Sequence, residues 1–106
     1  MIHVVAAIEL RPGMRARFLE EFARLVPEVR AERGCLEYAG AVDLPSGIDV
    51  QDPPRPDVVA VIEKWESLAA LAAHLEAPHM QAYRSRVRDF VVGTTIKVLE
   101  PAGEPA

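Results

Sequence analysis

Residues 58–80 read VVAVIEKWESLAALAAHLEAPHM, and this stretch decides the fold. Val58–Trp65 is rich in β-branched and apolar residues, which predicts a strand. Ser67 is a good N-cap, and it precedes a predicted helix with leucines at helical spacing, Leu68, Leu71 and Leu75. Pro78 suits the first position of another helix. The stretch therefore predicts a strand and two short helices in direct succession.

The same stretch concentrates residues that can do chemistry. Alternation along the predicted strand places Glu63 and Trp65 on one face, together with Val59 and Val61. His74 lies beside the leucine stripe of the first helix. His79 lies in the first turn of the next helix, whose positive dipole end favours a neutral imidazole. We expect a site here, if the chain has one.

The chain before this stretch predicts a strand, a helix and a second strand. Ile2–Leu10 is apolar on both faces, and Met14 to about Glu32 has an amphipathic helical pattern. Pro27 predicts a kink, with the helix resuming to Arg33 and ending at Gly34. Cys35–Val42 follows as a strand, with Leu36 and Tyr38 on one face and small residues at 39–41 that leave room above the sheet.

Three further segments complete the predicted organisation. The proline-rich loop at residues 43–57 is either a lid over a site or a disordered excursion. The last helix is expected to run from Pro78 to about Val91 and to end at Gly93, and Thr94–Glu100 is the final strand. Residues 1–100 form the predicted domain, and residues 101–106 form a frayed tail.

The order β-α-β-β-α-α-β predicts a ferredoxin-like α+β fold with an antiparallel sheet. Helices can cover only one face of that sheet, yet the first and third strands are apolar on both faces. We therefore expect a second copy of the chain to cover the open face, which gives a homodimer.

The composition excludes several classes of protein. The chain has 106 residues with a formal net charge of −4, so nucleic-acid binding is not expected. Arg84, Arg86 and Arg88 are interpreted as a solvated helix face. No apolar run reaches the ~18 residues that a membrane span needs. The single cysteine, Cys35, and the absence of a signal-peptide pattern predict a cytoplasmic location.

The chain resembles the antibiotic biosynthesis monooxygenase (ABM) family, including its quinol-monooxygenase-like branch. The segments that carry the resemblance are IHVVAAIELRPGMRARFLEEF, RGCLEY and EKWESLAALAAHLEAPHMQAY, and the match covers residues 1–100. The proline-rich loop looks longer than is usual in the family.

The resemblance implies a dimeric α+β barrel. It also implies oxidation of a phenol, quinol or polyketide by O₂ without a cofactor. Relatives on this fold also degrade haem, isomerise small metabolites or have no assigned activity. The haem-degrading branch relies on a pocket asparagine, and this chain contains none, so haem is disfavoured.

Cofactor-free oxygenation needs a base and an apolar enclosure, since the deprotonated substrate itself reduces O₂. His74 and His79 are the candidate catalytic bases, and structural hydrogen bonding is the alternative for each. The candidate substrate-binding residues are Trp65, Tyr38, Glu63 and Tyr83. Core packing is the alternative for the aromatic residues, and Glu63 is expected to pair with an arginine across the dimer.

The sequence supports neither a metal nor an organic cofactor. His74 and His79 are five residues apart across a proline, which is not the spacing of a helical metal pair. Cys35 is interpreted as a small buried residue. The predicted function is a cofactor-independent monooxygenase acting on a small aromatic substrate. The alternatives are an isomerase of a small carbonyl metabolite and a dimeric ligand-binding domain without catalysis.

Overall fold

The structure is a computed structural model that describes residues 1–103. Its elements are β1 (Ile2–Leu10), α1 (Arg15–Arg30), β2 (Cys35–Ala41), β3 (Val58–Trp65), α2 (Leu68–Glu76), α3 (Pro78–Val87), a 3₁₀ turn (Arg88–Phe90) and β4 (Val91–Leu99). The strands form one antiparallel sheet in the order β2-β3-β1-β4. This confirms the predicted ferredoxin-like α+β fold. Of the predicted frayed tail, residues 104–106 lie outside the described residues.

The core lies between the helices and one face of the sheet. Every second residue of β3 is buried, from Val59 to Trp65, as the alternation predicted. From α1, the buried side chains are Phe18, Phe22, Leu25 and Val29. Burial of these apolar surfaces is the main force that holds the helices on the sheet.

The turn after α1 is tighter than predicted. The helix is continuous through Pro27 but ends at Arg30, because the amide of Glu32 bonds the Val29 carbonyl at 2.9 Å and closes the last turn. Gly34 then adopts a φ of +86°, and its carbonyl accepts a hydrogen bond from the Glu66 amide at 2.8 Å. The expected resumption of the helix to Arg33 is therefore wrong.

A β-bulge changes the predicted faces of β2. Cys35 pairs with Trp65, but Glu37 pairs with Lys64, so Leu36 is the extra residue. Leu36 is consequently exposed, whereas Tyr38 is buried. The room above Gly40 is filled by Phe22, because a Cβ on Gly40 would lie 3.0 Å from Phe22 Cε2.

The two short helices present a different stripe from the predicted one. The inner face of α2 buries Leu71 and His74, whereas Leu68 and Leu75 are exposed. Ser67 caps the helix as predicted, since its hydroxyl accepts from the Ala70 amide at 3.1 Å. His74 thus takes a core position that the leucine spacing had assigned to Leu75.

The last helix is shorter, and the last strand longer, than predicted. α3 ends at Val87 rather than about Val91, and β4 begins at Val91 rather than Thr94. Val91 pairs with Leu10 across a register shift, and the Phe90 carbonyl accepts from the Arg11 amide at 2.8 Å. Pairing with the end of β1 therefore starts the strand early, and Gly93 lies within β4 instead of ending the helix.

Candidate functional site

A cavity of about 430 Å³ lies between α3 and the helix-covered face of the sheet. Its apolar wall includes Phe18, Val61, Met80 and Ile96. The lining residues with polar or charged groups are Tyr38, Glu63, His74, Tyr83, Arg84, Arg88 and Thr94. An apolar enclosure with a few convergent polar groups is typical of small-molecule sites.

An acid–histidine cluster (Glu32, His74, His79) lies beside this cavity. Glu32 Oε2 accepts hydrogen bonds from His74 Nδ1 at 2.8 Å and from His79 Nε2 at 2.7 Å. The Glu32 side chain is 13% exposed and that of His74 only 2%. Because Nδ1–H of His74 is donated to the carboxylate, Nε2 is the nitrogen that remains for a bound molecule.

Three local structures bring the cluster together. Glu32 lies in the turn after α1, His74 in the last turn of α2 and His79 in the first turn of α3. A Cβ on Gly34 would lie 2.6 Å from Ala70 Cβ, so the turn that carries Glu32 packs directly on α2. The glycine is needed at this close approach, and it sets the position of the carboxylate.

Aromatic rings hold the His74 imidazole in place. The Trp65 ring lies 4.6 Å from it, centroid to centroid, and the Tyr38 ring lies 5.5 Å away. Both distances correspond to direct ring contact. The imidazole is therefore fixed by packing as well as by its hydrogen bond to Glu32.

Glu63 is a buried carboxylate on the cavity wall. Its Oε1 accepts a hydrogen bond from Trp65 Nε1 at 2.9 Å. Burial raises the pKa of Glu63, and the Trp65 hydrogen bond and the neighbouring His74 offset only part of that effect. Within one copy of the chain its partner is the Trp65 indole, and the pairing with an arginine across the dimer stays a prediction.

Both tyrosines are neutral hydroxyl donors at the cavity. Burial raises the pKa of Tyr38 and the pKa of Tyr83 above their ordinary value. Tyr83 packs edge-on against Phe18 with ring centroids 6.2 Å apart. Each tyrosine therefore belongs to the core and presents a surface to the cavity, so the two roles weighed for it are compatible.

Comparison with known proteins identifies the family. Residues 1–86 match the family model of the antibiotic biosynthesis monooxygenases, ABM. The chain belongs to the ABM family. It is 44% identical over 103 residues to the Escherichia coli K12 protein named "Probable quinol monooxygenase YgiN", covering 95% of this chain and 98% of that protein. It is also 30% identical over 91 residues to YcnE of Bacillus subtilis, covering 86% of each protein.

Solved structures share the ABM fold of this chain. PA3566 from Pseudomonas aeruginosa superposes with a TM-score of 0.78 at 24% identity, covering 96% of this chain and 94% of that one. A crystal structure described as an antibiotic biosynthesis monooxygenase gives a TM-score of 0.79 at 23% identity, covering 96% and 99%. These likenesses show the fold, while the family match and the YgiN relationship support a monooxygenase-type function.

In this ABM-family chain, four of the six predicted site residues line the cavity: Tyr38, Glu63, His74 and Tyr83. Trp65 does not line it but lies behind His74 and Glu63, which it contacts. His79 does not line it either, and reaches the site only through Glu32. Trp65 and His79 are thus placed to support cavity residues rather than to touch a ligand.

Three residues of the site were not predicted from the sequence. Glu32 was named only as the approximate end of the first predicted helix, and nothing in the sequence links it to histidines that lie more than 40 positions away. Arg84 and Arg88 were interpreted as a solvated face, yet both line the cavity. The spacing of the two arginines, one helical turn apart, is the only signal that could have grouped them.

Other candidate features lie outside the site. No residue of the proline-rich loop at 43–57 lines the cavity. The loop is held by an ion pair between Arg55 and Asp43 at 2.8 Å, which lowers the pKa of Asp43 to about 2. Burial raises the pKa of the Cys35 thiol, which disfavours the reactive thiolate.

Residues 1–103 contain neither a candidate metal cluster nor a candidate membrane-spanning helix. No group of three or more His, Cys, Asp or Glu side chains there could hold a metal ion. No helix within this range has the length and apolar character needed to cross a bilayer.

Proposed function

We propose that this chain is a cytoplasmic, cofactor-independent monooxygenase that oxidises a small phenolic, quinol or polyketide-type substrate with O₂. One observation carries the proposal. A buried histidine, His74, is oriented by a carboxylate through Nδ1 and lies on the wall of a largely apolar cavity. The family match and the relationship to YgiN support the same class of reaction.

The proposed first step is removal of a hydroxyl proton from the substrate by Nε2 of His74. Glu32 fixes the tautomer that leaves Nε2 unprotonated, and it stabilises the imidazolium that forms when the proton is taken. The carboxylate–histidine pair therefore acts as a base without a metal. Proton transfer to a positioned side chain contributes a rate factor of about 10²–10⁴.

The deprotonated ring then supplies the electrons that reduce O₂. One electron passes from the quinolate to O₂, and recombination of the two radicals forms a ring carbon–oxygen bond. Cleavage of the O–O bond releases one oxygen atom as water and leaves the other in the product. A quinol and O₂ thus give a hydroxyquinone and water, which balances atoms and electrons with no added reductant.

The remaining cavity residues suit this chemistry. Apolar side chains exclude water that would quench the radical pair. The neutral hydroxyls of Tyr38 and Tyr83 can donate hydrogen bonds to substrate oxygens. Glu63, whose raised pKa favours the protonated form relative to an ordinary glutamate, can hold a second substrate hydroxyl.

Oxygen uptake with labelled dioxygen tests the proposal. Metal-free purified protein is supplied with a panel of quinols and polyphenols under ¹⁸O₂. We expect the wild-type protein to consume oxygen faster than autoxidation does and to place one labelled oxygen atom in the product. His74→Gln should show neither the enzymatic oxygen uptake nor the labelled product. Absence of uptake across the panel would transfer support to the isomerase or the non-catalytic ligand-binding domain, and an unlabelled product would contradict monooxygenation.

The proposed active form is a homodimer through the open face of the sheet. At the centre of that face, Val5 pairs with Ile62 and Ala7 with Ala60. Charges lie nearer its border, where Lys64 and Glu37 form an ion pair at 3.6 Å. An apolar centre with a charged border is typical of a protein interface.

Sedimentation velocity tests the dimer. We expect a dimer for the wild-type chain and a monomer for Ile62→Glu, since a carboxylate would be buried without a partner. Val50→Glu is the matched control, because Val50 is 93% exposed. A wild-type monomer, or an Ile62→Glu dimer, would contradict this interface.

A further inference from the structure

We propose that Arg84 and Arg88 form an anion subsite at the cavity, and that the substrate is an aromatic carboxylate whose hydroxyl faces His74. The identity of the reacting hydroxyl rests on the proposed function. The anion subsite itself is a binding property, so it is testable in the absence of turnover.

The two arginines come from consecutive turns of one element. Arg84 lies in α3 and Arg88 begins the 3₁₀ turn that follows, and both line the cavity. Both residues are exposed, whereas His74, Glu63 and Tyr38 are buried. The arginines therefore occupy the solvent side of the cavity, and His74 and Glu63 lie at its inner side.

The guanidinium groups have donors available for a ligand. Arg84 Nη2 donates to the Leu75 carbonyl at 2.8 Å, which holds the side chain in place and leaves most of its five N–H donors free. Within residues 1–103, Arg88 forms no hydrogen bond or ion pair through its side chain. By contrast, Arg86 between them is bound to Glu21 at 2.9 Å and does not line the cavity.

The charged groups are distributed unevenly between the inner side and the solvent side of the cavity. Its inner side carries the Glu63 carboxyl, with Glu32 directly behind His74. Its solvent side carries two cations, although the chain as a whole has a net charge of −4. Asp89 follows Arg88 in the sequence, but within the described residues it forms no ion pair with either arginine. A ligand is therefore favoured when its anionic group points outward and its hydroxyl points inward.

This polarity identifies the ligand class. A guanidinium matches the planar, bidentate geometry of a carboxylate. The cavity volume of about 430 Å³ lies within the usual range for small-molecule sites of about 300–1,000 Å³. A phenol or quinol ring that carries one carboxylate would satisfy both sides of the cavity at once.

Calorimetry with a redox-inert pair tests the subsite without chemistry. The probes are para-hydroxybenzoate and para-hydroxybenzamide, which differ in charge and hardly in shape. We expect the wild-type protein to bind the acid about tenfold more tightly than the amide, equivalent to about 1.4 kcal/mol. The preference should weaken as the salt concentration rises, since the arginines lie on the solvent side.

Two arginine variants make the test specific. Arg88→Gln should reduce the acid-to-amide ratio to near one, whereas Arg17→Gln should leave it unchanged. Arg17 is an exposed α1 residue outside the cavity, so its variant changes the net charge equally. Equal binding of acid and amide, no binding of either probe, or a ratio that survives in Arg88→Gln would overturn the subsite.

Turnover measurements then test the anion subsite and the proposed oxygenase function separately. Gentisate is a quinol with a carboxylate, and gentisamide is its neutral counterpart. We expect a higher kcat/KM for oxygen uptake with gentisate, and loss of that preference in Arg88→Gln. Acid-selective binding without oxygen uptake would support the subsite and contradict the oxygenase. Oxygen uptake with no preference for gentisate would support the oxygenase and contradict the subsite.

Discussion

Glu32 and His74 are 42 positions apart in the chain, and Glu32 Oε2 accepts a hydrogen bond from His74 Nδ1 at 2.8 Å. His79 donates to the same oxygen, so one carboxylate positions two imidazoles. This contact fixes the tautomer and orientation of the His74 imidazole, which the proposed proton transfer from a substrate requires.

Replacing Glu32 should impair turnover more than folding. In Glu32→Gln, the amide oxygen can accept only a neutral-strength bond, and the negative charge that stabilises an imidazolium is lost. We expect kcat for quinol-dependent oxygen uptake to fall by up to about 10⁴-fold, the effect of converting to an amide the carboxylate that orients a catalytic histidine.

The control for that experiment is Glu28→Gln. Glu28 is an exposed residue of α1, the helix that precedes the turn with Glu32, and makes no hydrogen bond through its side chain in residues 1–103. Its variant should keep the wild-type kcat. A Glu32→Gln protein with unchanged kcat would show that the carboxylate has no part in the reaction.

The two histidines should contribute unequally. His74 lines the cavity, whereas His79 is 25% exposed and does not. We expect His74→Gln to lower kcat by about 10²–10⁴-fold, as for a general base, and His79→Gln to lower it by about tenfold at most. Steady-state measurements with an oxygen electrode give kcat for each variant. Thermal unfolding curves of the same samples show whether each variant is folded. Equal losses from both variants would contradict the assignment of His74 as the base.

The buried carboxyl of Glu63 should make stability depend on pH. Its pKa is raised above the ordinary 4.5 in the folded chain, chiefly by burial. The folded state therefore binds the proton more tightly than the unfolded state. The resulting stabilisation is complete below pH 4.5 and is lost as the pH rises through the folded-state pKa.

Glu63→Gln tests this, because the amide carries no charge but can still accept from Trp65 Nε1. We expect urea unfolding, repeated at fixed protein concentration from pH 4 to pH 8, to show a smaller loss of stability in the variant than in the wild type. If the free energy of unfolding changed with pH equally in the two proteins, Glu63 would have the same pKa in the folded and unfolded states.

Trp65 should matter for stability rather than for substrate binding. Trp65→Phe removes the Nε1–H donor and leaves the buried Glu63 Oε1 without it, at a cost of about 1–3 kcal/mol. Because Trp65 does not line the cavity, KM should change little. In the Glu63→Gln background the same substitution should cost less, and a double-mutant cycle measures that coupling. If the two substitutions changed the free energy of unfolding additively, the proposed coupling between Trp65 and Glu63 would be absent.

Gly34 should be needed to place Glu32. In Gly34→Ala, the new Cβ would meet Ala70 Cβ at 2.6 Å on a backbone with positive φ, and we expect a loss of about 2–4 kcal/mol from strain and overpacking together. Gly13→Ala is the matched control, because Gly13 also has a positive φ but no atom within 4 Å of the added Cβ. Equal losses in urea unfolding would show that the close approach to α2 costs nothing.

The order of the elements follows from local patterns in the sequence. Both kinds of pattern depend only on residues that are close in the chain. The examples are the period-two alternation of Val58–Trp65 and the helical stripe of Phe18, Phe22 and Leu25. The predictions that were wrong concern pairing between elements. The bulge at Leu36 and the early start of β4 at Val91 are set by register against another strand.

The sequence by itself determined the fold class and the family and made His74 a candidate site residue, because periodicity, capping and motif are written in consecutive residues. Only the tertiary structure decided which groups act on His74. Glu32 reaches it through the packing of Gly34 on α2, and Arg84 and Arg88 line one cavity with residues of β1, β3 and β4. Such contacts join residues that are distant in the chain, and no local pattern records them.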